Sequence, residues 1–352
     1  MNRNYLEENF KNPNDLEELD LSYKKIESID LNSFNQLNKL IDLNLSHNEM
    51  IEIDPIMFNV DALINLKYLN LTSNRIINMN ANGFVKLKNL IKLDLLSNEI
   101  ETLKAKCFEG LVNLRFLDLR TNNIAFIEDG ALSNLKNLVE LKLADNRLTS
   151  IEAHMFNELS SLKELLLQSN RIKSIKSYSF KDLKRLEKLN LFSNKIETIE
   201  KDAFVGLANL VYLSLHLNEL NSIDKSLFDN GILENLSVLV LTSNRLKEIK
   251  EANTFDSLAN LSELYLARNQ LDSNQVDPYL FSNLNKLRIL EVTEERNELV
   301  KYKKLIEQKK KREQDELEQE AKRKESEVMV TTTAAKDDSV NDETKPINEK
   351  EP

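Results

Sequence analysis

The sequence holds one cysteine, Cys107, no tryptophan, and only five prolines and five glycines among 352 residues. A single cysteine excludes any internal disulfide, which fits a reducing compartment. The five glycines are isolated, and neither a P-loop nor a dinucleotide fingerprint occurs. No stretch approaches the ~20 apolar residues of a spanning helix. The first ten residues, Met1 to Phe10, contain no apolar run of the signal-peptide kind. The expectation is a cytoplasmic protein without an integral membrane segment.

Histidine is scarce too. His47, His154 and His216 stand far apart and no H-E-x-x-H motif occurs, so neither a metal site nor a catalytic centre is expected, and no cofactor. Cys107 is expected to fill a buried or half-buried position beside Phe108 rather than to serve as a reactive thiol. Positive charge is also in deficit. The formal net charge is -10, of which residues 294–352, with 17 acidic and 14 basic side chains, contribute -3. The remaining -7 on residues 1–293 does not attract phosphate backbones, so no nucleic-acid partner is expected.

Leucine is abundant and periodic. Leu162, Leu165 and Leu167 are followed by Asn170, Ile172, Ile175, Phe180 and Leu183, and the pattern restarts at Leu186. The turns begin at Leu16, Leu40, Leu66, Leu90, Leu114, Leu138, Leu162, Leu186, Leu210, Leu236, Leu261 and Leu287, and are called here turns one to twelve. Most are 24 residues long; turns two, nine and eleven have 26 and turn ten has 25. An asparagine column runs from Asn48 through Asn170 to Asn269, with Lys24 in its place in turn one. A phenylalanine column runs from Phe34 to Phe281, with Leu132 in turn five.

The end of L-x-x-L-x-L has a period of two, which predicts a short strand whose leucines, such as Leu165 and Leu167, point inward. Strands of successive turns would stack in parallel about 4.8 Å apart. The chain then leaves the sheet, and its backbone polar groups need partners. An asparagine amide carries both donors and an acceptor, so a stacked column can supply them. Phenylalanines would fill the wider convex side. Extra residues in the longer turns fall on that side, where the loop can swell without shifting the strands; Asp277-Pro278 is one such turn signal. One turn alone does not repay its ordering entropy, which is why the unit is repeated.

In these columns the chain resembles the leucine-rich repeat family in its typical class of about 24 residues. It is similar to the arrays of Toll-type receptors, Slit proteins and small leucine-rich proteoglycans, without their cysteine-rich caps. The resemblance spans residues 16–293. It implies an α/β solenoid: a curved horseshoe with one parallel sheet on its concave side, built of eleven full repeats and a partial twelfth. Residues 1–15 are expected to be an N-terminal cap. Residues 294–327, with eleven acidic and eleven basic side chains, are expected to form a charged helix. Its apolar start, Leu299, Tyr302, Leu305 and Ile306, would cover the last turn, and beyond Gln308 only Leu317 keeps a coiled-coil seam position. Residues 328–352 are expected to be a disordered tail. The run from Lys301 to Arg312, seven basic residues to one acidic, suits a solvated helix face, a nuclear-import patch or contact with anionic lipid.

The resemblance implies partner binding rather than catalysis. The concave face carries the intervening positions of L-x-x-L-x-L-x-x-N. In turn one these are acidic: Glu17, Glu18 and Asp20. Phe116 and Arg120 sit in a mixed patch midway. In turns nine and ten none is charged: Val211, Tyr212, Ser214, His216, Leu217, and then Ser237, Val238, Val240, Thr242, Ser243. Phe192 precedes this stretch and Tyr265 follows it. Loss of charge with added aromatics is the composition of an interface core. The candidate binding residues are therefore Phe192, Tyr212, His216, Leu217, Val238, Val240, Tyr265, Phe116 and Arg120, and the expected function is a non-enzymatic scaffold for a protein partner. The alternatives are an extracellular or membrane-associated recognition module, for which N-x-S/T sequons stand at Asn44, Asn70, Asn235 and Asn260, and a regulatory subunit of an enzyme.

Overall fold

The computed structural model describes residues 1–249, 251–272, 276–294 and 298–337. The chain divides into two units, residues 1–299 and residue 300 onward.

The first unit is a solenoid around one sheet of twelve parallel strands in sequential order. Each strand has three residues, from Glu18–Asp20 in turn one to Ile289–Glu291 in turn twelve, and each occupies the same place in its repeat. The register follows the leucines: Leu141 pairs with Leu165, Leu165 with Leu189, and Leu189 with Leu213. A one-residue slip would turn every leucine into solvent, which is why the register never drifts across the sheet. Behind the strands the leucines and isoleucines are almost completely buried, as expected from their spacing.

The asparagine column stitches each turn to the one before it. Asn170 Nδ2 donates to the carbonyls of Leu143 (2.9 Å) and Leu167 (3.0 Å), and its Oδ1 accepts from Leu148 N (3.0 Å). The amides therefore bond to backbone and not to one another. Just before each asparagine the backbone is left-handed: eleven residues from Tyr23 to Arg268, none a glycine, have φ between +53° and +57°. This twist carries the chain out of the sheet while the same residue's N–H still reaches the next turn, as Ser169 N does to Phe192 O at 2.9 Å.

On the convex side the phenylalanines stack in a spine, with centroids 5.9 to 6.4 Å apart from Phe34 to Phe108 and again from Phe156 to Phe204. Leu132 interrupts it in turn five, at the position where the sequence lacks a phenylalanine. Short two-residue strands line the descending side, such as Ser150–Ile151, Ser174–Ile175 and Thr198–Ile199.

At the N-terminus, helix Arg3–Asn9, whose Tyr5 N–H is capped by Asn2 Oδ1, buries Leu6. At the other end Glu298 Oε2 accepts from Val292 N (2.8 Å) and Thr293 N (2.6 Å) beside the last strand. The second unit contains the helix Leu299–Asp337. It runs ten residues past the expected end at 327, so the first part of the expected disordered tail is helical. No glycine or proline falls between residues 294 and 345 to stop it, and the Val328–Thr333 β-branched stretch weakens a helix without breaking one. The rest of the expected tail, 338–352, lies outside the described residues.

Candidate concave binding surface

Seven of the nine candidate residues come together on turns eight to eleven. Tyr212 pairs across the sheet with Val238 on one side and Lys188 on the other; Val240 lies between Ser214 and Tyr265. Phe192 stacks on His216 with centroids 5.2 Å apart and rings 8° from parallel. His216 Nδ1 donates to the Thr242 carbonyl at 2.8 Å, since a carbonyl only accepts, and this holds the ring flat against Phe192. The Tyr265 hydroxyl donates to Glu263 Oε2 at 2.8 Å. Burial, then the Glu263 carboxylate, pushes its pKa up to about 12, so the phenol stays protonated. These contacts fix the Phe192, His216 and Tyr265 rings in the free chain.

Leu217 is the least expected residue of the group. It is 47 % exposed and belongs to the left-handed column, with φ +53°. Leucine is disfavoured in both respects. The equivalent positions in turns seven, eight and ten are Ser169, Ser193 and Ser243. Asparagine tolerates this conformation. Leu217→Asn is therefore expected to raise stability by about 0.5–1 kcal/mol, measured as the shift in urea midpoint at unchanged slope. A loss of stability would mean that Leu217 is held by packing instead.

Phe116 and Arg120 do not join this cluster. They lie on turn five, four strands from Tyr212, or roughly 19 Å at the usual strand spacing. Charged pairs occupy the gap, Lys142 with Glu140 at 3.2 Å and Lys188 with Glu164 at 2.7 Å. Arg120 forms a two-pronged contact with Asp118, Nε to Oδ1 at 2.9 Å and Nη2 to Oδ2 at 2.6 Å, which raises its pKa further. The Arg115 guanidinium lies 5.8 Å from the Phe116 ring centre.

Toward the N-terminus the concave face holds a shallow hollow of about 380 Å³ lined by Glu18, Asp20, Asp42, Tyr68, Lys92 and Asp94. Burial and the neighbouring Glu18 and Asp20 charges raise the Asp42 pKa. Part of this acidity is structural: the Asp20, Asn44, Asn70, Asp94 and Asp118 side chains each accept from the backbone N–H two residues on. Tyr23 and His47 stack at 4.3 Å near this end.

A second asparagine column escaped sequence reasoning. Asn65, Asn89, Asn113, Asn137, Asn209, Asn235 and Asn260 each donate Nδ2 to a carbonyl of the preceding turn at 2.7 to 3.0 Å. Its signal was the asparagine just before the first leucine of the turn. All four sequons thus fall on structural columns, Asn44 and Asn70 on the half-buried concave sheet and Asn235, exposed, and Asn260, half-buried, on this seam.

His154 Nε2 lies 3.2 Å from the Ile127 carbonyl, bridging a gap between two of the short convex sheets. Cys107 is completely buried, and burial pushes its thiol up to about 12. Among the described residues there is no cluster of metal-binding side chains and no helix long and apolar enough to cross a membrane.

The TLR13–ssRNA13 complex contains a chain 30 % identical over 76 % of this one, with a TM-score of 0.68. Toll in the Drosophila Toll–Spatzle complex is 26 % identical over 76 %, with a TM-score of 0.67. This chain spans only 38 % and 35 % of those two. An internalin of Listeria monocytogenes, 21 % identical over 77 % of this chain and 79 % of its own, shares the fold with a TM-score of 0.54. No curated protein sequence matches. The family profile described as leucine rich repeat matches residues 7–59, 64–124, 117–172, 160–220, 208–271 and 234–296. Together with the twelve-stranded sheet and its asparagine ladder, that coverage makes this chain a member of the leucine-rich repeat family.

Proposed function

We propose that the chain is a non-enzymatic recognition scaffold that holds a protein partner on its concave face, with Phe192, Tyr212, His216, Leu217, Val238, Val240 and Tyr265 as the anchoring surface. The observation that carries this reading is the exposed, left-handed Leu217 beside a preorganised Phe192–His216 stack. Leu217 is costly to the fold, and it and the adjoining stack are suited to burial by another protein. Phe116 and Arg120 would form a separate, weaker contact on turn five. The acidic N-terminal half of the face argues for a protein rather than a phosphate backbone.

The double substitution Tyr212→Ala with Val240→Ala tests the site. It is expected to weaken capture of a co-purifying partner at least tenfold while shifting the unfolding midpoint little, because both side chains are only half-buried. Unchanged capture would reject the assignment.

A receptor-type extracellular module is the second reading, favoured by the likeness to Toll in its complex with Spatzle. Secretion with a glycan on exposed Asn235 supports it; an unmodified protein retained in the cytosol rejects it.

A further inference from the structure

The convex side opens between turns eight and nine. Up to Glu219, whose N–H donates to Ile196 O at 2.9 Å, each turn is bonded to the last. Turn eight continues this bonding into Thr198–Ile199, and Glu200 N reaches Ile175 O at 2.9 Å. In turn nine it stops, as it also does at the same place in turns two, four and six: among the described residues, the N–H groups of Asn221, Ser222 and Ile223 reach no carbonyl of turn eight. The phenylalanine spine breaks at the same place. Phe180 stacks on Phe204 at 6.4 Å, and Phe228 meets Phe255 at 5.8 Å, but Phe204 and Phe228 do not stack, although neither is replaced.

A cavity of about 150 Å³ fills this opening. Ile199, Phe204, Leu215, Ile223, Leu227 and Phe228 form most of its wall. Glu197, Asn221, Ser222 and Asp224 stand at its mouth. Length does not explain the gap. Turn two has the same 26 residues, yet Phe34, Phe58 and Phe84 stack without a break.

We propose that this cavity is a binding site for a small, neutral, apolar molecule of single-ring size. A space of about 150 Å³ walled by leucine, isoleucine and phenylalanine has room for one benzene-sized ligand. Ile199, Phe204, Leu215, Ile223, Leu227 and Phe228 offer a ring dispersion contacts on the inner side, and the mouth is open to solvent. An anion is excluded, because a carboxylate would lose its hydration in an apolar chamber and face Glu197 and Asp224 at the entrance. The location matters for the concave face: Leu215, in the cavity wall, directly precedes His216 and Leu217, so a bound ring would sit behind the anchoring surface. The ligand site does not depend on that surface binding a partner.

The test is methyl NMR of the full chain titrated with toluene, with benzoate as the charged control. Toluene is expected to shift the Ile199 and Ile223 methyl signals saturably at millimolar concentration and leave buried Ile100 unmoved. Benzoate is expected to move none of the three. Ile223→Phe and, independently, Leu227→Phe should fill the space and abolish the saturable shift. Absence of a saturable shift in the wild type overturns the proposal, as does an equal response to benzoate. An unchanged toluene affinity in either folded variant overturns it as well.

Discussion

Asn170→Leu is expected to lower the stability of the solenoid by about 3 kcal/mol or more. The substitution orphans the buried Leu148 N–H, which donates to Asn170 Oδ1 at 3.0 Å. It also removes one of two amide donors from each of two carbonyls. Leu143 O keeps only Asn146, at 3.2 Å, and Leu167 O keeps only Asn194, at 3.0 Å. A buried N–H without a partner costs about 1–3 kcal/mol, and a branched apolar side chain in a polar slot adds strain. The damage falls between turns six and seven, so urea unfolding monitored from both ends of the array should separate into two transitions, since turns are coupled only to neighbours. Asn209→Ala provides the contrast. Its Nδ2 donates to Lys184 O at 2.7 Å from an exposed position where water can replace it, and a loss of no more than about 1 kcal/mol is expected. Equal losses in the two columns would mean that the buried ladder has no special weight.

Gly110→Ala is expected to be comparably severe, for a steric reason. Gly110 has φ +94°, a conformation that L-residues avoid. A Cβ there would stand 2.5 Å from Val85 Cα and 2.6 Å from Val85 O, both backbone atoms of the preceding turn. Nothing flexible can give way, so turns three and four must separate. Strain and overlap together are expected to cost about 3 kcal/mol. Gly130→Ala tests the distinction. Its φ of +77° is also unfavourable, but its Cβ would meet nothing closer than Ser133 Oγ at 3.9 Å. It should show the backbone penalty alone, about 1 kcal/mol. Thermal unfolding of the three proteins side by side measures both effects, and a Gly110→Ala loss no larger than that of Gly130→Ala would contradict the close approach.

The parts of the molecule readable from the sequence are those that repeat with a residue type attached. Inward leucines, the buried asparagines and the phenylalanine spine are chemical necessities at one place in each turn, so spacing reveals them. The left-handed column was not readable: Tyr23, Thr121, Asp145, Leu217 and Arg268 share a backbone angle and no chemistry. Glycine did not mark it either, because the inter-turn hydrogen bonds made by Tyr23, Thr121, Asp145 and Leu217 offset the strain. The acidic look of the concave face was half misleading, since Asp20, Asp94 and Asp118 cap their own backbone. Arg120, read as a candidate binding residue, is bound to Asp118 in the free chain. Inequalities between turns were hidden as well. Turns two and nine have equal length, yet Phe58 stacks on the phenylalanine of the turn before it and Phe228 does not.

The concave cluster was visible as a stretch of ten uncharged positions, and the fold adds why it is ordered: strand register aligns Tyr212 with Val238 and sets Val240 beside Tyr265. A scaffold of stacked turns keeps such a surface rigid without a deep single core.

The most direct test of a concave recognition surface is site-specific photo-crosslinking. A benzophenone side chain is placed either at Val240, on the inner sheet, or at Phe126, which is 67 % exposed on the opposite side. Crosslinking to a protein partner at position 240 and none at position 126 is the predicted result. A crosslink at 126 with silence at 240 would contradict it.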